Sequence, residues 1–283
     1  MSSKKTSILD IQLAKEEGRK LVMVTAYDYP FGLLADQAEV DMVLVGDSLG
    51  MVVMGLDGTV AVTMEHMIHH IKAVVRGCKS PLVIGDMPFG SYNTSIRDAI
   101  YNADRLMKEG GCDGIKLEGG LNFAPGIEAI VKAGIPVQGH IGLTPQTASA
   151  LGGFKMQGKD AAAARQIIDD AKSLESAGVF SIVLEAVPAP LGKFVSEAVR
   201  VPIIGIGAGP DVDGQVLVTY DLIGLFDRFV PKFVKQYAQT RTVILDAIKS
   251  YKQEVQEKVF PGPQHSFKMP EETLARLKEM IEK

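Results

Sequence analysis

One device recurs along the chain: a short apolar run that stops abruptly at a glycine, an acid or a histidine. Val43 to Gly50 reads Val-Leu-Val-Gly-Asp-Ser-Leu-Gly, and Pro81 to Asp86 reads Pro-Leu-Val-Ile-Gly-Asp. Gly114 to Glu118 is Gly-Ile-Lys-Leu-Glu, Pro136 to His140 is Pro-Val-Gln-Gly-His, and Ser181 to Glu185 is Ser-Ile-Val-Leu-Glu. Apolar runs this short, bounded by turn residues, read as strands buried on both faces. Successive strands then deliver Asp47, Asp86, Glu118, His140 and Glu185 at their C-terminal ends. Side chains of that kind at equivalent strand ends point to chemistry rather than packing.

Between these runs the spacing turns helical. Further strands are expected at Leu21 to Ala26, Pro202 to Ile206 and Val216 to Thr219, and Met42 to Gly46 forms the second. Met51 to Val62 holds two glycines and no helical period, which predicts a loop or small hairpin over the strand ends. Thr63 suits an N-cap, and Met64, Met67, Ile68, Ile71, Val74 and Val75 then fall on one helical face until Gly77. Helices are likewise expected over 95–109 and 123–133, from Asp160 to Ser176, and from Pro188 to Val199. Strands alternating with helices imply parallel pairing with right-handed crossovers. Eight strands favour closure into a (β/α)8 TIM barrel, whose chemistry gathers at the C-terminal strand ends. A chain of 283 residues holds one such domain. Residues 1–20 form an N-terminal segment in which Ser7 to Glu17 is a short helix docked on the outside. A long amphipathic helix is expected from Lys232 to about Lys258. Pro261-Gly262-Pro263 breaks it, and a last helix from Pro270 to Lys283 closes an extension over 259–283.

Composition narrows the partners. With a net charge of −4, no arginine-rich run and no Trp, nucleic acid is a poor candidate. No apolar run approaches the roughly 18 residues that span a bilayer, and no signal peptide follows the first lysines. Cys78 and Cys112 are isolated, without metal-type spacing. These features read as a cytoplasmic protein.

Asp47, Asp86 and Glu118 are hard oxygen ligands on three consecutive strands. Carboxylates brought together repel unless a cation or proton joins them, and magnesium favours carboxylates plus waters. Singly, each acid is as well read as a helix cap or a lysine partner; three at equivalent positions favour a metal. Zinc is the alternative, with His140 near the same rim, although no His/Cys set points to it. Lys116 precedes Glu118 by two residues and so faces the same side of its strand, one layer deeper. It either binds an anionic substrate group or pairs with a barrel carboxylate. Ser48 offers a hydroxyl beside Asp47, or caps the turn. Glu185, two strands beyond Glu118, suits a general base with a raised pKa, a structural role being the alternative. His140 is a substrate contact or a satisfied buried group. His66, His69 and His70 share a helix without an obvious third ligand and read as structural. Gly205-Ile206-Gly207-Ala208-Gly209 fits a dinucleotide fingerprint only loosely, and in a barrel serves close approach of backbone to an anion or cofactor.

At this point the sequence resembles a known family. The carriers are Val45-Gly46-Asp47-Ser48-Leu49-Gly50, Gly85-Asp86-Met87-Pro88-Phe89, Ile115-Lys116-Leu117-Glu118-Gly119-Gly120 and Gly139-His140-Ile141-Gly142-Leu143-Thr144-Pro145-Gln146. Leu184-Glu185-Ala186-Val187-Pro188, the Gly205–Gly209 run and Pro231-Lys232-Phe233 extend them over nearly the whole chain. Together they are similar to the 3-methyl-2-oxobutanoate (ketopantoate) hydroxymethyltransferases. The resemblance implies a barrel of the phosphoenolpyruvate mutase/isocitrate lyase-like type, dependent on Mg2+. It also implies one-carbon transfer from 5,10-methylenetetrahydrofolate to 3-methyl-2-oxobutanoate through a metal-stabilised enolate. The product would be 2-dehydropantoate, on the route to pantothenate and coenzyme A. By motif, Asp47, Asp86 and Glu118 match the metal-site acids. Asp47, Ser48, Asp86 and Lys116 match the oxo-acid positions, and Glu185 matches the proton acceptor. A homo-oligomer, commonly a decamer, is the implied assembly. One departure is Gly58, where the family pattern often has Ser; it touches a rim loop and none of the motif acids. Two other readings stand beside this one: a magnesium-dependent enolate-forming lyase or mutase without folate, and a binding protein without catalysis.

Overall fold

The computed structural model describes residues 4–150 and 152–282. Eight strands close into a single parallel barrel in sequence order. They are β1 (Leu21–Thr25), β2 (Met42–Val45), β3 (Leu82–Asp86), β4 (Gly114–Glu118), β5 (Val137–Gly142), β6 (Ser181–Glu185), β7 (Ile203–Ile206) and β8 (Gly214–Leu217). The weak eighth strand closes the ring: Leu21 to Val24 of β1 pair with Gly214 to Leu217. Around it lie α1 (Ile8–Glu16), α2 (Tyr29–Gln37), α3 (Leu49–Val52), α4 (Met64–Gly77), α5 (Ile96–Arg105), α6 (Ala124–Lys132), α7 (Ala161–Ser176), α8 (Ala189–Ala198) and α9 (Thr219–Leu222). Beyond the barrel follow α10 (Thr240–Gln256) and α11 (Glu271–Ile281). No described helix is long and apolar enough to cross a membrane.

Strand periodicity sorts the barrel into two cores. Val43, Val45, Val83, Ile115, Leu117, Val137, Ile182, Leu184 and Ile203 face outward and pack against the helices. Leu21, Met23, Met42, Leu44, Leu82, Ile84, Val183, Ile204 and Val216 form the inner core. Counting by two along β3, β4, β5 and β6 from inward positions arrives at Asp86, Glu118, His140 and Glu185. The alternation that fills the barrel therefore also aims the polar residues into its mouth. The expected caps form: Thr63 Oγ1 accepts from His66 N, and Asp160 accepts from Ala163 N.

Some expectations fail for physical reasons. The N-terminal helix does not dock on the outside. Ile11 and Ala14 are buried with the inner core, so α1 plugs the end of the barrel opposite the acids. Lys15 Nζ fixes it there, donating to the carbonyls of Ser196, Val199 and Val201 and pairing with Asp213 at 2.9 Å. Residues 51–62 take the loop form and not the hairpin, and the one unexpected feature is the short helix α3 at their start. The helix over 95–109 changes to a π turn at Leu106–Gly110 before left-handed Gly111. The long helix begins only at Thr240. The backbone of Tyr237 donates to Leu222 and that of Thr240 to Ile223, which folds residues 223–239 back over the barrel mouth.

Candidate active site

A cavity of about 440 Å³ opens at the C-terminal ends of the strands. Its walls bring together the seven catalytic, substrate and metal candidates read from the sequence: Asp47, Ser48, Asp86, Lys116, Glu118, His140 and Glu185. All but Ser48 and Glu185 are nearly solvent-free, at 1–5% exposure.

Asp86, at the tip of β3, is held twice. Lys116 Nζ lies 2.6 Å from its Oδ1, and the backbone N–H of Asp47 donates to its Oδ2 at 3.2 Å. The pairing of Lys116 with a barrel carboxylate is thus present in the fold. Burial disfavours the ammonium, yet the charges of Asp86, Glu118 and Asp47 hold Lys116 above the ordinary lysine range. Asp47 is driven well above the usual carboxylate range by burial, then by the charges of Asp86 and Glu118, against the pull of Lys116 and Gln146. Three acids share one buried neighbourhood with one ammonium, an arrangement that invites a further cation.

The chemistry of the donor set suits a metal. Asp47, Asp86 and Glu118 offer only carboxylate oxygens, which suit a hard divalent cation, and neither cysteine lines the cavity. Among the described residues no three His, Cys, Asp or Glu groups form a ready-made metal cage. Magnesium does not require one, since it is usually held by one or two carboxylates with waters and substrate oxygens completing the shell. The residues present fit magnesium on that footing.

His140, at the inner face of β5, stands between two acids. Its Nδ1 is 3.5 Å from Glu118 Oε1 and its Nε2 is 3.2 Å from Glu185 Oε2, both outside hydrogen-bond geometry. Burial and Lys116 oppose its protonation, but Glu118 and Glu185 outweigh them and raise its pKa to about 9. An imidazolium there faces the carboxylate of Glu185, which is the more open end of the pair at 15% side-chain exposure. Ser48 makes no capping bond; its hydroxyl meets Tyr27 Oη at 2.9 Å. The glycine run after β7 does not present a free cradle, because the ring of Phe233 occupies the space a Cβ on Gly207 would take. His66 and His70 contact the backbone at Thr63 and Tyr27. Cys78 and Cys112 are buried thiols whose pKa is pushed up to about 12 by burial.

Two site residues escaped the sequence reading. Gln146, 4% exposed, ties the acids together. Its backbone N–H donates to Glu118 Oε2, its Nε2 donates to Asp47 Oδ2 and to the Met87 carbonyl, and its Oε1 accepts from Tyr92. Gln146 sits in a conspicuous motif after β5, yet a neutral amide carries no charge signal. Asp221, on α9 after β8, also lines the cavity, and burial raises its pKa to about 6. A strand end placed two residues too late hid it.

Comparisons with known proteins agree with this geometry. The family model described as ketopantoate hydroxymethyltransferase matches residues 5–263. The 3-methyl-2-oxobutanoate hydroxymethyltransferase of Heliobacterium modesticaldum is 58% identical over 270 residues, 95% of this chain and 98% of the relative. That of Moorella thermoacetica is 58% identical over 264 residues, 93% of this chain and 98% of the relative. Among solved structures, a 2,3-dimethylmalate lyase of the PEP mutase/isocitrate lyase superfamily superposes with a TM-score of 0.59. It is 14% identical and covers 98% of this chain and 97% of its own. A phosphonopyruvate hydrolase solved with oxalate and Mg2+ gives 0.60 at 13% identity, with 93% of each chain covered. The structural likenesses establish the fold, an eight-stranded parallel barrel. The sequence match runs through every strand end that furnishes the cavity, and it makes this chain a member of the ketopantoate hydroxymethyltransferase family.

Proposed function

We propose that this protein transfers a hydroxymethyl group from 5,10-methylenetetrahydrofolate to 3-methyl-2-oxobutanoate, giving 2-dehydropantoate for pantothenate and coenzyme A synthesis. One observation carries the reading. An acid-rich pole at the ends of β2, β3 and β4 faces a single more accessible carboxylate, Glu185 of β6, across one cavity with His140 between them.

Asp47 and Asp86, with Glu118 beside them, would hold Mg2+. When bound, the metal supplies Lewis-acid polarisation of the oxo acid's keto oxygen. Lys116 offers an ammonium to the oxo acid's carboxylate from one layer below, and the Ser48 hydroxyl, braced by Tyr27, adds a hydrogen bond at the rim. Glu185 takes the proton from carbon 3. His140, whose Nε2 lies 3.2 Å from Glu185 Oε2, sets a positive charge beside that carboxylate when it is protonated. The carbanionic carbon then bonds to the folate methylene as that carbon's bonds to N5 and N10 break; water furnishes the hydroxyl oxygen, and the proton held by Glu185 and one from water pass to the two nitrogens of the departing tetrahydrofolate. The apolar upper wall, with Leu143, Phe226, Phe229 and Phe233, limits water near the reacting carbon.

The proposal extends to a cytoplasmic homo-oligomer, a decamer as the family resemblance implies. In its support, α10 and α11 contain no buried residue, and Val243, Ile248 and Tyr251 of α10 are more than half exposed, an apolar face suited to another copy.

The test is proton exchange at carbon 3 of 3-methyl-2-oxobutanoate in heavy water, followed by NMR, with methylenetetrahydrofolate then added. Magnesium-dependent exchange in the wild type, abolished by chelation and by Glu185→Gln while the oxo acid still binds, is the expected result. Full exchange in Glu185→Gln sinks the base assignment. Exchange without formation of 2-dehydropantoate on folate addition favours a folate-independent lyase, and ligand binding without exchange favours a non-catalytic barrel.

A further inference from the structure

Asp221 stands apart from the acids used above. It follows β8 and so lines the cavity from the β8 and β1 side of the rim, whereas the metal-side acids enter at β2, β3 and β4. Its side chain is 8% exposed, and Oδ1 has no hydrogen-bond partner among the described residues. Burial alone accounts for its perturbed acidity, with no cation contributing. A second orphan lies in the same cavity: the hydroxyl of Thr59, 3% exposed and also without a partner among the described residues. Folded proteins rarely leave buried polar atoms unmatched, and exceptions mark sites whose partner arrives from outside.

The surroundings restrict what that partner is. A carboxylate repels the oxo acid and any anionic tail, so the partner offers N–H or O–H donors. No described His, Cys, Asp or Glu joins Asp221 in a metal-type group. Phe226, Phe229 and Phe233, from the segment folded over the mouth, line the same cavity, and Phe229 is 66% and Phe233 37% exposed. Open aromatic faces beside an unmatched acceptor suit a planar heteroaromatic ring. A ring N–H next to an exocyclic amino group presents two parallel donors, which a carboxylate accepts in a fork.

We propose that Asp221 accepts the ring N–H and 2-amino group of the folate's pterin, whose face lies against the phenylalanines, with Thr59 serving the same ring. This rests on the reading that methylenetetrahydrofolate is the one-carbon donor. It puts the donor's head group between Asp221, after β8, and the loop after β2 that carries Thr59, and leaves the carboxylates at the strand ends of β2, β3 and β4 to the oxo acid.

The experiment is calorimetric titration of the full-length protein with tetrahydrofolate and with its 2-desamino-2-methyl analogue, for wild type and Asp221→Asn. Loss of a charge-assisted hydrogen bond predicts folate affinity weakened about 10- to 100-fold in Asp221→Asn. The analogue should lose about as much against wild type but little more against the variant. The oxo-acid affinity serves as internal reference, and the loss is expected on folate alone. Equal tetrahydrofolate affinity in wild type and variant overturns the assignment. If Asp221→Asn does not fold, equal affinity of wild type for the two pterins overturns it instead. Failure of wild type to bind tetrahydrofolate at all removes the folate reading, a result distinct from either.

Discussion

Gly142, the last residue of β5, offers a steric handle on the proposed base. It sits opposite Glu185 in the parallel register, with φ at +90°. A Cβ placed there would lie 2.3 Å from the Glu185 carbonyl oxygen and 3.1 Å from its nitrogen, where ordinary contact begins at 3.4 Å. Both atoms are backbone, so relief requires the two strand ends to separate by about an ångström. The left-handed conformation costs a non-glycine residue about 1–2 kcal/mol. The bond from Leu143 N to Glu185 O, 2.9 Å long, breaks with the separation and adds about 1 kcal/mol. Gly142→Ala is therefore expected to lose about 2–3 kcal/mol and to lower the thermal midpoint by about 3–5 °C. An ångström of misplacement at a reacting group costs roughly 100-fold in rate, so carbon-3 exchange should fall by that factor while the oxo acid still binds. Gly58→Ala is the control, since a Cβ at Gly58 meets nothing within 4 Å. A Gly142→Ala protein that exchanges at the wild-type rate, or a Gly58→Ala protein that fails equally, would refute the reasoning.

Other perturbations test other parts. Lys116→Met strips the one lysine from three buried acids, and breaking a buried pair costs about 3–5 kcal/mol; unfolding monitored without magnesium should show that loss, with part recovered when magnesium is added. Ile11→Ala empties the plug of the barrel floor and should cost about 2–5 kcal/mol in denaturant unfolding while leaving oxo-acid affinity unchanged. Asp221 carries a pKa raised from 3.8 to about 6. An acid raised by folding contributes stability at low pH that is lost as pH rises through its folded pKa. The thermal midpoint of Asp221→Asn minus that of wild type should therefore grow between pH 4 and pH 7; a difference independent of pH would show that Asp221 does not titrate as its burial implies.

The barrel was legible because its signal is local and repeated. Each strand announces itself by an apolar run and a polar stop, and parallel order follows from the intervening helices. The same parity places Lys116 and Glu118 on one inner face, as it does Val183 and Glu185. What stayed hidden depends on contacts distant in sequence. The docking of α1 is fixed by Lys15 reaching carbonyls near residue 200, and its own amphipathic pattern is too faint to reveal a buried side. The late start of α10 follows from residues 223–239 being held over the mouth, which helical spacing through Phe233, Val234 and Tyr237 disguises. Gln146 hydrogen-bonds to two of the acids, yet a neutral amide gives no sign of that in the sequence.

Charge balance gives these parts a common reason. Asp47, Asp86 and Glu118 repel one another in a low-dielectric pocket, and Lys116 offsets only part of that repulsion. A barrel selected for stability alone would replace such a group with well-packed apolar residues, since buried ions seldom repay their desolvation. Here the cost is kept, and the structure contains the means of bearing it. Gln146 donates to two of the acids at once from the loop after β5, so the rim stays closed although its charges favour opening. His140 stands between Glu118 and Glu185 and hydrogen-bonds to neither, so its positive charge is shared between the cluster and the carboxylate across the cavity. The acid pole thus holds three carboxylates against Lys116 and a share of His140, while Glu185 stands alone against the other face of that imidazole. That asymmetry suits a site that binds a cation and an oxo acid at one side and keeps a carboxylate ready to take a proton at the other.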